Sequence, residues 1–190
     1  MKNLRRQLRK QRKQLNQFQQ IQAEYRILNQ LRRCSFFKNA QHIGVYLHAF
    51  GEIRTTKIIE YAFSAGKKVY LPTICKMNQR LVWVRITQQQ YRNRRFSDHA
   101  LGMKEPMTTR GKHISTLDLL LMPLLACDSW GTRIGMGGGF YDRTLASAPH
   151  HPIRLGLAHD FQFIKTKLTR QNWDQPLHAL MTPSHLIKFK

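Results

Sequence analysis

The sequence predicts an α/β fold with a largely parallel sheet. Short apolar runs alternate with amphipathic segments along most of the chain. One of these runs, Leu117 to Pro123 (LDLLLMP), is almost continuously apolar, as a strand covered by helices on both faces must be. Gly66 stands between a helical pattern and the run KVYLP, which is the punctuation of a helix-to-strand connection.

The elements follow in order. Leu4, Leu8, Leu15, Phe18, Ile21, Tyr25, Leu28 and Leu31 share one stripe at a 3.6-residue period, predicting an amphipathic helix over about residues 2–33. Its start carries Lys2, Arg5, Arg6, Arg9, Lys10, Arg12 and Lys13, where the helix dipole disfavours positive charge. That cluster is either a solvated face or an anion-binding one. Strand candidates follow at His42 to Leu47, Lys68 to Pro72, Leu81 to Ile86 (half exposed by its alternation), Leu117 to Pro123 and Ile153 to Ala158. Helix candidates are Thr55 to Ser64 and Phe140 to Ala148. Gln88 to Lys112 is polar and basic and reads as a long surface excursion.

Composition bounds the rest. The chain has 190 residues, 42% of them hydrophobic, enough for one domain spanning residues 1–190 with its own core. The net charge of +22 attracts polyanions, whether nucleic acid, acidic lipid or anionic metabolites. The three cysteines, Cys34, Cys75 and Cys127, have neither zinc-knuckle nor CxxC spacing and suit a reducing cytoplasm. No run approaches the roughly 20 apolar residues of a membrane span. The histidines show no metal-ligand spacing and read as surface or structural.

The most informative stretch is Cys127 to Arg143, CDSWGTRIGMGGGFYDR, between a buried strand and a helix. In an open α/β sheet that position holds ligands. Gly135, Gly137, Gly138 and Gly139 let the backbone turn and present N–H groups to a phosphate, and Arg133 adds a bidentate donor. The pattern is neither GxGxxG, which requires glycine at Phe140, nor a Walker A loop, which requires Lys-Ser/Thr after the last glycine. Asp142 can cap the following helix or bind a metal; Mg²⁺ needs only one or two such carboxylates beside phosphate oxygens, and Asp128 and Asp174 are the other candidates.

Taken together, these residues resemble the 5-formyltetrahydrofolate cyclo-ligase family nearly end to end. The resemblance rests on ordered blocks: the basic helix with Leu4-Arg5, VYLHAFGEIRTT (Val45 to Thr56), GKKVYLP (Gly66 to Pro72), GMKEP (Gly102 to Pro106), Leu117 to Arg143, and WDQPL (Trp173 to Leu177). It implies a three-layer α/β/α sandwich resembling the sugar-phosphate isomerase and CoA transferase-like fold. It also implies a reaction in which ATP phosphorylates the N5-formyl oxygen of 5-formyltetrahydrofolate, N10 closes the ring, and ADP and phosphate leave. By that resemblance, Arg5, Arg133, Ile134, Gly135, Met136, Gly137, Gly138, Gly139, Phe140 and Tyr141 bind ATP, with Arg133 catalytic. Leu47, Glu52 and Met136 to Phe140 contact the folate, and Asp142 and Asp174 bind Mg²⁺. The family usually has a lysine where Met1 stands, with Lys2 one place closer to Arg5, and a polar or acidic residue where Arg54 stands. A basic surface would attract the polyglutamate tails of such folates. A monomer is expected, and nucleic-acid binding is open to the charge but is not expected as the main role.

Overall fold

The computed structural model describes residues 2–75, 77–100, 102–107 and 110–189. In chain order its elements begin with helices α1 (Lys2–Gln14), α2 (Gln17–Leu31) and α3 (Ser35–Asn39), strand β1 (His42–Gly44) and helix α4 (Thr56–Ser64). Strands β2 (Lys68–Cys75) and β3 (Arg80–Ile86), helix α5 (Gln88–Arg92) and a hairpin of β4 (Phe96–Asp98) and β5 (Lys104–Pro106) follow. Then come β6 (Leu119–Pro123), β7 (Ala126–Asp128), β8 (Arg133–Ile134), α6 (Phe140–Leu145), β9 (Ile153–Leu157), β10 (Phe163–Ile164), β11 (Ala179–Met181) and β12 (Leu186–Lys188).

The main sheet has seven strands in the order β12-β11-β9-β6-β1-β2-β3. The five central strands run parallel, and β3 and β12 close the edges antiparallel. Both faces are apolar, as the near-continuous run in β6 requires: Leu119 and Leu121 enter one core with Ile27, Leu31, Ile58 and Ile59 of α2 and α4. Leu120 and Met122 enter the other with Trp83 and Leu145. Alternate side chains of one strand thus feed two helical layers, the three-layer α/β/α sandwich. A small second sheet, β10-β7-β8, is covered by Leu4 and Leu8 of α1.

The structure departs from the sequence expectations at four places. The N-terminal helix is two helices, because Asn16 starts α2 with a capping box: its side chain accepts from Gln19 N (2.9 Å) while Gln19 Oε1 accepts from Asn16 N (3.0 Å). Reciprocal satisfaction of those donors makes a fresh helix start cheaper than continuing the first. Phe18 and Tyr25 fall outside the buried stripe and are exposed. Gln88 to Lys112 is not a free excursion. It contains α5 and the β4–β5 hairpin, Glu105 accepts from Ile74 N (2.9 Å), and Lys112 bridges to Trp83 through two backbone hydrogen bonds of 2.8 and 2.9 Å. Those contacts cover Trp83, so β3 is more buried than its alternation implies.

Gly66 ends α4 as expected. It adopts φ +70°, and the pair Gly66 N to Phe63 O and Lys67 N to Ala62 O closes the helix end in a Schellman motif.

Candidate active site

Strand order places the site. The chain leaves β1 toward β2 on one side, while β6 packs on the other, so the crevice beyond the carboxyl ends of β1 and β6 is the switch point where open α/β sheets bind ligands. The segment after β1 carries Leu47 and Glu52; the segment after β6 leads through β7 and β8 into the glycine loop.

The post-β1 loop is folded on itself. Buried Tyr46 donates its hydroxyl to Ile53 O (3.0 Å), and buried Thr55 donates to Tyr46 O (2.7 Å). At its tip Phe50 and Gly51 have φ of 52° and 74°. Glu52 Oε2 accepts from Ala49 N at 3.1 Å. Burial pushes the Glu52 carboxyl up to about 7, against the opposing pull of the Ala49 N–H and the Arg12 guanidinium. Leu47 is half-buried against the main core.

On the β6 side, Asp128 is fully buried and its carboxylate accepts from three backbone N–H groups: Trp130 (2.9 Å), Thr132 (2.8 Å) and Leu168 (2.9 Å). It shapes the β7–β8 turn and is removed from the metal candidates. Arg133 follows, its side chain only 4% exposed and its Nη2 2.7 Å from Asp142 Oδ1. Its guanidinium also stands 5.6 Å from the Tyr141 ring centroid. Asp142 Oδ1 accepts a second bond from Gln175 N at 3.2 Å. The neighbouring Asp174 accepts from Gln171 N at 2.8 Å, so both metal candidates flank one short segment.

Gly137 and Gly139 take φ of 107° and 65°, a conformation that side chains resist. Gly139 is the N-cap of α6, and a Cβ on Gly138 would lie 2.6 Å from the Phe140 ring. Met136 is exposed, Phe140 packs partly on the second core, and Ile134 is buried against α1. The Ile134 carbonyl already accepts from Leu125 N at 2.7 Å. In α1, Arg5 lies beside Leu4 and Leu8, the residues that pack with Ile134; its Nε is buried and has no hydrogen-bond partner among the described residues. Lys2 and Arg9 are exposed.

The two halves meet electrostatically. Glu52 raises both the Tyr46 and Tyr141 phenols, after the larger effect of burial, while Arg133 pulls Tyr141 back down. Sequence reasoning missed three residues here. Arg12 is 1% exposed and lies 4.0 Å from Glu52; its signal was a charge at the i+4 and i+8 positions from Leu8 and Leu4, on the apolar face. His159 reaches Gly51 O at 3.2 Å and is lowered by burial to about 4. Buried Arg154, held by the Pro176 and Pro149 carbonyls, faces Arg133 and Asp142. No sequence pattern marked the last two. Trp173 is exposed, and Arg54 pairs with Glu24 at 3.7 Å.

At the β7–β8 turn an open groove of about 610 Å³ is lined by Trp130, Thr132, Lys167, Leu168, Thr169 and Arg170. A second hollow of about 440 Å³, between β3 and the hairpin, lies away from this chemistry. Among the described residues no three His, Cys, Asp or Glu side chains gather into a metal cage, and no helix is long and apolar enough to cross a membrane.

A glycine loop with a buried, carboxylate-held arginine at the switch point of a parallel sheet is the arrangement of a ligand-binding α/β protein with a site suited to anions. The 5-formyltetrahydrofolate cyclo-ligase family model matches residues 1–183. The 5-formyltetrahydrofolate cyclo-ligase of Escherichia coli K12 is 38% identical over 150 residues, covering 76% of this chain and 79% of that protein. The Haemophilus influenzae enzyme of the same name is 32% identical over 182 residues, covering 94% and 95%. In fold, the chain matches the 5,10-methenyltetrahydrofolate synthetase of Aquifex aeolicus with a TM-score of 0.84 at 23% identity, over 100% of this chain and 92% of that one. The chain belongs to the 5-formyltetrahydrofolate cyclo-ligase family, and it is an enzyme of that class.

Proposed function

We propose that this protein closes 5-formyltetrahydrofolate to 5,10-methenyltetrahydrofolate at the expense of ATP, with the phosphates in the glycine loop and the folate against the post-β1 loop. The observation that carries this reading is the glycine loop with Gly137 and Gly139 at positive φ, its ends joined by the 2.7 Å pair of buried Arg133 with Asp142.

The N5-formyl oxygen attacks the γ-phosphorus, forming an O–P bond as the bond to ADP breaks. N10 then attacks the formyl carbon and loses its proton, and the former formyl oxygen leaves on phosphate. Arg133 neutralises charge on the transferring phosphoryl group, and the backbone N–H groups of Gly135 to Tyr141 hold the phosphate oxygens in place. Arg5, on the helix packed against β8, adds a cation on the nucleotide side. Glu52 accepts hydrogen bonds from the pterin amine and ring N–H groups, and Leu47 with Met136 to Phe140 lines the folate side. Asp142 and Asp174 are hard oxygen donors beside the loop and would hold Mg²⁺ together with phosphate oxygens and water; the ion, when bound, offsets triphosphate charge. Two carboxylates without a third ligand suit that shared coordination.

The net charge of +22 supports a preference for polyglutamylated folate in a monomeric cytoplasmic enzyme. The test compares mono- and polyglutamylated substrate at several salt concentrations; equal, salt-independent KM values would remove the preference. The main test is methenyltetrahydrofolate absorbance after mixing protein with 5-formyltetrahydrofolate. A signal that requires Mg-ATP is expected, and none from folded, ATP-binding protein would reject the folate assignment.

A further inference from the structure

We propose that Arg12 is a positioning residue for the folate side of the site: from the last turn of α1 it clamps Glu52 and the loop that carries it. The proposal rests on the reading of Glu52 as the folate-side carboxylate.

Arg12 is the odd member of the N-terminal basic cluster. Lys2, Arg6, Arg9, Lys10 and Lys13 are exposed, whereas Arg12 is 1% exposed. Its Nη1 donates to Leu124 O (3.3 Å), the first carbonyl after β6, and stands 4.0 Å from Glu52 Oε1. Nε and Nη2 are buried without hydrogen-bond partners among the described residues. A guanidinium has five N–H donors, and leaving buried ones unmet is costly. A purely structural contact would be served better by an apolar side chain.

The backbone makes the same connection. Gly51 packs so tightly on α1 that a Cβ there would lie 2.7 Å from Arg12 O, and His159 Nε2 meets Gly51 O from the other side. Gln162 also donates to Leu124 O, at 2.8 Å. One guanidinium thus bridges from the carbonyl that follows β6 to the carboxylate of the post-β1 loop. The charged and titratable groups facing Glu52 are Arg12 from α1, Tyr46 beyond β1, Tyr141 of α6 and, through Gly51, His159 beyond β9. Arg12 is the only cation among those that acts directly on the carboxylate, favouring its ionised form. Arg5 lies seven residues earlier, about 10 Å along the same helix. The helix therefore spans from the proposed nucleotide side to the folate side.

The test is a pH titration of the Glu52 ¹³Cδ resonance in full-length protein; with four glutamates in the chain the signals are separable. In Arg12→Gln the midpoint is expected to rise by at least about one pH unit, as loss of an opposite charge at this range predicts. The acid limb of kcat/KM for folate moves with it, folate KM rises about tenfold, and KM for ATP stays constant. Arg12→Lys restores the midpoint. A Glu52 midpoint in Arg12→Gln equal to that of the parent would overturn the inference. Glu52→Gln separates the underlying reading: raised folate KM supports it, and unchanged folate KM sinks both it and this inference. Should Arg12→Gln not fold, Arg12→Lys decides, because a retained midpoint with raised folate KM supports the clamp and an unchanged folate KM rejects it.

Discussion

Arg133 Nη2 lies 2.7 Å from Asp142 Oδ1, with the four-glycine loop between the two residues in sequence. The ion pair ties together the two ends of the loop, and in the proposed function this guanidinium serves the transferring phosphoryl group. Removing one such preorganised donor typically costs 10²–10³ in rate. Arg133→Ala is therefore expected to lower kcat by about 10²-fold or more, and Arg133→Lys to recover little, since a point charge cannot reproduce the fork. Steady-state kinetics check this; full activity in Arg133→Ala would remove the assignment.

Gly51 faces two obstacles to any side chain: φ of +74° and the Arg12 carbonyl 2.7 Å from the would-be Cβ. The clash is with backbone and cannot be relieved by a rotamer change. Gly51→Ala should destabilise by about 2 kcal/mol or more and raise folate KM by displacing Glu52. Gly66→Ala, also at positive φ but with nothing within 4 Å, should cost only about 1 kcal/mol and leave KM alone. Urea unfolding and kinetics of the pair separate the two effects.

Glu52 and His159 give opposite pH dependences to stability. Burial lowers His159 from 6.5 to about 4, so between those values the unfolded chain holds the extra proton and stability rises with pH. Burial raises Glu52 from 4.5 to about 7, so across that window the folded chain holds the extra proton and stability falls as pH rises. In the parent these two contributions should largely cancel from about pH 4.5 to 6.5. Relative to the parent, Glu52→Gln should gain about 2 kcal/mol over that range, and His159→Asn should lose a similar amount. Urea unfolding at both pH values reads the slopes, and parent-like slopes in both variants would contradict the assignments.

Asp128 and Asp174 should respond differently to the same change. Asp128→Asn weakens an anchor for three backbone N–H groups and should cost about 1–3 kcal/mol of stability. Its Mg²⁺ requirement should match that of the parent. Asp174→Asn should leave stability nearly unchanged and raise the Mg²⁺ concentration needed for half-maximal rate. A Mg²⁺ shift in Asp128→Asn alone would reverse the two roles.

By itself the sequence determined the α/β class, the parallel core and the glycine loop, because these depend on local properties: the apolar run Leu119 to Met122, the helix stop at Gly66, and a backbone freedom that only Gly137 and Gly139 provide. It also carried the family, since its motifs are contiguous and the matched family region spans residues 1–183. The break at Asn16 has a local signal too, the capping pair Asn16 and Gln19, but it lies inside a continuous apolar stripe whose period alone specifies one helix. Only the tertiary structure decided which carboxylates are structural. Asp128 and Asp142 look alike in sequence, yet one is ringed by backbone N–H groups and the other faces Arg133. Only the fold, likewise, distinguished Arg12 from its basic neighbours and brought His159 to Gly51 across 108 residues. Burial and partnership belong to the packed molecule, and they set the protonation and orientation of Glu52 in ways no local pattern records.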